Sequence, residues 1–180
     1  GNLKGIHIGS KVTGIGDTAF LNCTGLTDAV LPPSISSIPV NLFRNCSSLA
    51  RIKIPDSITS VGSSGFAYCS AMTEINLKNV TSLGSFALGY CQNLSKDLTF
   101  NMPDPVTSIG TFCFMGCTFH GINLNSNLTS IGGSAFFRSD LTGIDIPSTV
   151  TTIGSSAFSE CNDLSGINCN IPLTSIGANA

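Results

Sequence analysis

The chain has 180 residues, 42% of them hydrophobic and only 10% charged, with a formal net charge of −2 and a pI near 5.5. Disorder is excluded by that balance, since unfolded chains pair low hydrophobicity with high charge. A nucleic-acid footprint is excluded by eight scattered Lys and Arg. A membrane-inserted helix is excluded because no apolar run approaches the length of a span.

One motif recurs from end to end. Its copies begin at Leu3, Leu26, Leu49, Met72, Leu94, Phe119, Leu141 and Leu164, and residues 141–161 give its cleanest form, LTGIDIPSTVTTIGSSAFSEC. No copy can bury its own apolar residues, so copies must stack into a linear array, and their length lies in the leucine-rich-repeat range. Residues 1–180 therefore read as one array. Its last copy stops at Ala180, short of the Phe that the motif demands, and no polar cap covers either end, so the array reads as a piece of a longer protein.

Each copy has three parts in order. The first, Leu-x-x-Ile-x-Ile, alternates with period two and predicts a short strand with one buried face, often closed by a proline such as Pro32, Pro55 or Pro147. The second, Val-Thr-Ser-Ile-Gly, ends in glycine in every copy but the second, where Pro39 stands; glycine there implies a positive φ or a close backbone approach. The third, Ser-Ser-Ala-Phe-x-x-Cys, suits one helical or 3₁₀ turn held by packing. The fifth copy is longer, with its extra residues placed at Ser95–Asp97 and Asn101–Pro105. Stacking aligns Phe20, Phe43, Phe66, Leu88, Phe114, Phe136 and Phe158 in one core column.

The run Ser57–Leu77, SITSVGSSGFAYCSAMTEINL, and its relatives along the whole chain resemble the BspA-like leucine-rich repeats, found in surface proteins of bacteria and of some parasitic protists. The expected fold is an α/β repeat: a right-handed leucine-rich-repeat solenoid or horseshoe, with a parallel β-sheet on the concave side and short strands with helical or 3₁₀ turns on the convex side. The resemblance further implies secreted or cell-surface placement and binding to host proteins or other cells.

Catalytic and metal chemistry find little support. Cys23, Cys46, Cys69, Cys91, Cys117 and Cys161 share one repeat column, with Ser139 in the remaining place, while Cys113 and Cys169 replace a small and a strand residue. All read as buried thiols, because side chains in one column run parallel and fit a disulfide poorly. His7 and His120 lie five copies apart, so neither a catalytic triad nor a metal cluster assembles around them. Asp28, Glu74, Asp97 and Asp145 read as solvated surface charge. No enzyme activity and no cofactor are expected. The sequons at Asn22, Asn45, Asn79, Asn93 and Asn127 read as by-products of an Asn-, Ser- and Thr-rich repeat.

Binding is expected on the outward strand positions, which vary while the core columns do not. The position between the buried residues is filled by His7, Val30, Lys53, Asn76, Thr99, Asn123, Asp145 and Asn168, and the one before by Gly5, Asp28, Arg51, Glu74, Asp97, Gly121, Gly143 and Gly166. Arg51, Lys53, Glu74, Asn76 and Thr99 form the leading protein-binding patch, extended by Asn123 and Asp145, with Met102 in the fifth-copy insertion as a second candidate. Tyr68 and Tyr90 share a column and form a further aromatic patch. The expected function is adhesion or protein recognition; the alternatives are a structural spacer and, distantly, an ice-binding array built on the column Thr13, Ser36, Thr59, Thr81, Thr107, Thr129, Thr151 and Thr174.

Overall fold

A computed structural model describes residues 2–96, 98–169 and 173–180. Its strands are short and parallel: β1 (Gly5–His7), β2 (Asp28–Val30), β3 (Ser37–Ile38), β4 (Arg51–Lys53), β5 (Ser60–Val61), β6 (Ser82–Leu83), β7 (Thr99–Asn101), β8 (Ser108–Ile109), β9 (Gly121–Asn123), β10 (Ser130–Ile131), β11 (Gly143–Asp145), β12 (Thr152–Ile153), β13 (Gly166–Asn168) and β14 (Ser175–Ile176). Each pairs in register with the equivalent residues of a neighbouring copy, as in Ile131 with Ile153 or Asp28 with Arg51. The chain is a parallel β-solenoid, and the Val-Thr-Ser-Ile parts of the second to eighth copies join into one seven-stranded sheet.

Its core is the stack of like residues that the motif requires. Phe43, Phe66, Phe114 and Phe136 are fully buried, and consecutive rings lie parallel with centroids 5.4 to 5.6 Å apart. Leu88 continues the column where a ring is missing.

The recurrent glycine is explained by a close approach of copies, not by a positive φ. A Cβ on Gly132 would lie 2.8 Å from the Gly110 carbonyl carbon, the Ile109 oxygen and the Thr111 nitrogen, and Gly62, Gly84, Gly110, Gly154 and Gly177 meet the preceding copy's backbone in the same way. A Cβ on Gly16, in the first copy, would meet no atom within 4 Å.

The third part is not helical, and the described residues contain no helix at all, so the α/β class and the helical turns are corrected to an all-β solenoid with β-turns. The cause is hydrogen bonding between copies. In the third copy, the amides of Gly65, Ala67 and Cys69 donate three residues back, to Gly62, Ser64 and Phe66, at 3.0 to 3.2 Å. The intervening amides of Ser64, Phe66 and Tyr68 turn outward instead and donate to Ser85, Ala87 and Gly89 of the next copy at 2.8 to 2.9 Å. That alternation requires left-handed backbone at Ser64 (φ 55°) and Tyr68 (φ 62°), each at the third position of a bonded turn, which is the type II arrangement. Asn41 and Asn45, or Ser134 and Arg138, hold the same places in other copies. Half of the amides thus leave the segment to bind its neighbour, and a helix cannot spare them.

The fifth copy's register also differs from expectation. Thr99 pairs with Gly121, Phe100 with Ile122 and Asn101 with Asn123. The inserted residues therefore all precede the strand, Asn101–Pro105 follows the regular repeat, and Asp97 lies outside the described residues. Leu98, expected to point inward, is 67% exposed, while Met102 is only 5% exposed and takes the core place that Ile146 has in the seventh copy.

Candidate functional site

The first-part strands do not make one sheet. They form three ladders, β1-β2-β4, β7-β9 and β11-β13, and the fourth copy's Glu74–Asn76 joins none of them. Its two neighbours, β4 and β7, therefore each present an unpaired backbone edge toward it. The core shows the gap: Ile52 and Ile75 are half-buried, whereas their counterparts Ile122 and Ile144 are buried. Arg51, Ile52 and Lys53 on one side and Glu74, Ile75 and Asn76 on the other line the resulting cleft. Four of the sequence-derived site residues meet there.

The cleft carries both charges on an apolar floor. Arg51 reaches back to Asp28, with its Nε 2.5 Å from Oδ1, and both side chains are exposed. The Thr27 hydroxyl, which donates to Asp28 Oδ2 at 2.6 Å, and then the Arg51 guanidinium hold the Asp28 carboxyl below its ordinary range. An exposed pair of this kind adds little stability, so Arg51 can be drawn to a ligand at small cost. Lys53 and Glu74 are exposed, and Asn76 Oδ1 accepts a hydrogen bond from the Lys78 amide at 3.1 Å.

The remaining site residues lie elsewhere. Thr99, Asn123 and Asp145 line a second, open trough with Gly121, Gly143, Gly166 and Asn168, where the missing glycine side chains lower the floor. Thr99 belongs to the Arg51 column and not to the Lys53 column, so Asn101 is the residue that the sequence reading missed. Asn123 Nδ2 donates to its Oδ1 at 2.7 Å. Counting back six residues from Val106, as from Val150 to Ile144, would have located Phe100 and hence Asn101. Met102 is no ligand-facing residue; its side chain forms the buried floor of a cleft between the fourth and fifth copies.

The polar columns serve the stack. Thr81, Thr129 and Thr174 hydroxyls donate to carbonyls of the preceding copy at 2.9 to 3.1 Å, which occupies the array on which ice binding would depend. Side-chain amides of the sequon residues Asn79, Asn93 and Asn127 donate likewise to Asp56, Ser70 and Asp104 at 2.7 to 3.0 Å. All eight cysteines are free thiols. Cys46, Cys69, Cys91 and Cys117 are buried, and each Sγ donates to the carbonyl of the Phe-column residue in the preceding copy, at 3.1 to 3.3 Å. Cys23 and Cys161 are half-buried and Cys169 is exposed. Burial pushes the Cys46 and Cys117 thiols up to about 12, so they are neither nucleophiles nor ligands at neutral pH. Among the described residues no group of three His, Cys, Asp or Glu could hold a metal.

Residues 1–101 and 97–180 match the model of the BspA type leucine rich repeat region, in six copies. The chain belongs to the BspA-type leucine-rich-repeat family. A leucine rich cell surface protein from Faecalibacterium prausnitzii is similar in structure, with a TM-score of 0.84 and 35% identity over 97% of this chain. This chain spans 49% of that one. A leucine-rich repeat protein from Bacteroides ovatus matches 97% of this chain and 57% of its own length at 26% identity, TM-score 0.61. The Treponema pallidum leucine rich repeat protein, 21% identical over 98% of this chain and 74% of its own, shares the fold at TM-score 0.67. No curated protein sequence matches.

Proposed function

We propose that this chain is a protein-recognition module displayed at a cell surface, which binds an extended segment of a partner protein across the cleft between the third and fourth copies. The interrupted ladder carries this reading. A regular array would bond its strands throughout; among the described residues the ladder breaks between β9 and β11 as well, but only at Glu74–Asn76 does a whole strand segment join no ladder, and Arg51, Lys53, Glu74 and Asn76 line that break. Unpaired edges offer main-chain hydrogen bonds to an added strand, and the flanking charges select its side chains. The F. prausnitzii relative is a cell surface protein, which supports the compartment. Nothing in the donor geometry calls for a cofactor, and no helix among the described residues is long and apolar enough to cross a membrane.

The test is binding of the array to immobilised extracellular-matrix and host-cell-surface proteins, beside an Arg51→Ala/Lys53→Ala/Glu74→Ala variant. Saturable binding that weakens at least tenfold in the variant is the expected result. Binding unchanged in the variant moves the site off the cleft, and a folded array that binds no panel member favours the spacer reading.

A further inference from the structure

The turn segments expose a second feature that the strand-side reading does not use. Where other copies place Thr, Ser or Asn in one left-handed column and Asn, Gly, Arg or Glu in the other, the middle copies carry Phe86 and Phe112 in the first and Tyr68 and Tyr90 in the second. Tyr68 and Phe112 are 37% and 39% exposed, and both Phe86 and Tyr90 are partly so. Tyr68 and Tyr90 stack at 5.0 Å and 7°, and Phe86 sets its edge against both, at 5.5 and 6.0 Å. Gly116, the one glycine with a positive φ (66°) among the described residues, lies against the Tyr90 ring, where a Cβ would come within 2.6 Å. Charges bracket the aromatic group. Arg44 sits 6.0 Å from the Tyr68 ring centroid, while Arg138 pairs with Glu160 at 2.6 Å.

The order of these residues along the array is self-complementary. From the second copy to the seventh, the two left-handed columns read Asn41, Ser64, Phe86, Phe112, Ser134, Ser156 and Asn45, Tyr68, Tyr90, Gly116, Arg138, Glu160. A two-fold axis crossing the array between the fourth and fifth copies apposes each column to its own reverse. It brings Phe86 against Phe112, Tyr90 against Gly116, Tyr68 against Arg138, and Arg44, next to Asn45, against Glu160. Each contact is favourable: ring on ring, ring over a residue without a side chain, ring under a guanidinium, and cation with anion. A two-fold running along the array would keep the two chains parallel and appose same-numbered copies, so Phe86 would no longer meet Phe112, nor Tyr90 Gly116, nor Tyr68 Arg138, nor Arg44 Glu160.

We propose that the turn face of this array binds a second copy of the chain, antiparallel and centred between Phe86 and Phe112. Six copies at about 4.8 Å span only about 30 Å, which makes the patch smaller than the roughly 800 Å² per partner of a standard interface. The dimer is therefore weak, with a dissociation constant on the order of 10⁻⁵ to 10⁻⁴ M, and gains from display of many copies on one surface.

Sedimentation equilibrium of the 180-residue chain from roughly 10 µM to 1 mM is the test, with an Arg44→Glu variant beside it. The mean mass should rise from 18.6 kDa toward twice that value, and Arg44→Glu should weaken association at least tenfold with an unchanged circular dichroism spectrum. A second measurement fixes the register. On a Cys169→Ser background, Ser64→Cys chains mixed with Ser134→Cys chains should cross-link to each other through a short bis-maleimide and scarcely to themselves. A monomer throughout, or a dimer indifferent to Arg44→Glu, overturns the proposal; so does cross-linking of Ser64→Cys chains chiefly to one another.

Discussion

Two kinds of residue carry the stack, and each gives a distinct test. Gly132 touches backbone on three sides, so Gly132→Ala must push two copies apart rather than shift a flexible side chain. We expect a loss of about 2–4 kcal/mol, as for other overpacked or strained sites, measured by urea unfolding; Gly16→Ala, in open space, should change stability by under about 1 kcal/mol. The buried thiols give a pH dependence. Cys46 and Cys117 are raised to about 12 when folded, against an ordinary value near 9. Folding therefore favours the protonated form: its contribution is whole below pH 9 and is lost as pH rises toward 12, since the unfolded chain then binds fewer protons. Each such thiol steepens the decline above pH 9 by about 1.4 kcal/mol per pH unit. Cys117→Ala should be flatter by that amount, and an equal slope would mean that Cys117 is solvated.

At the scale of the element, the turn segment separates what the sequence discloses from what it hides. The Phe column, the Cys column and the glycines are legible because each must repeat wherever copies stack; the structure buries the Phe column from Phe43 onward and Cys46, Cys69, Cys91 and Cys117, and sets the half-buried glycines against the preceding copy's backbone. Phe136→Ala should accordingly cost about 3–5 kcal/mol in chemical unfolding. The left-handed residues are not legible in the same way. Asn41 and Asn45 suit a positive φ, but Tyr68, Phe86 and Arg138 do not advertise it, and the outward amides that impose it bind another copy about 22 residues away. A segment rich in Ser and Ala hence reads as a helical turn. The site divides in the same way: the Arg51–Asn76 patch follows from alternation alone, while the extra residues between Leu94 and the strand shift Thr99 into the Arg51 column and put Met102 in the core. The two conformations predict opposite outcomes at Ser64. In a helix, Ser64→Ala would stabilise by about 0.5 kcal/mol and exceed Ser64→Asn. At φ 55° the order reverses, with Ser64→Asn the more stable by roughly 0.5–1 kcal/mol. Thermal unfolding of the two variants decides it.

For the whole molecule, stability is a sum of copies and the contacts between them, so a weak contact on one side need not divide the array. The fourth copy shows this division of labour. On its turn side the Leu88 amide bonds to Cys113 at 3.0 Å and the Phe66 amide reaches Ala87 at 2.9 Å, both in the core. On its strand side Glu74–Asn76 belongs to no ladder. Opening there costs little burial and breaks no sheet, whereas opening at Leu88 requires the core to part. Amide exchange should hence be at least about 100-fold faster at Ile75 than at Leu88, two residues of the same copy. A partner strand seated in the cleft would supply the missing bonds and slow Ile75 without altering Leu88. Exchange at Ile75 as slow as at Leu88 in the free chain would mean that the ladder is complete in solution, and the cleft would lose its claim to be the site.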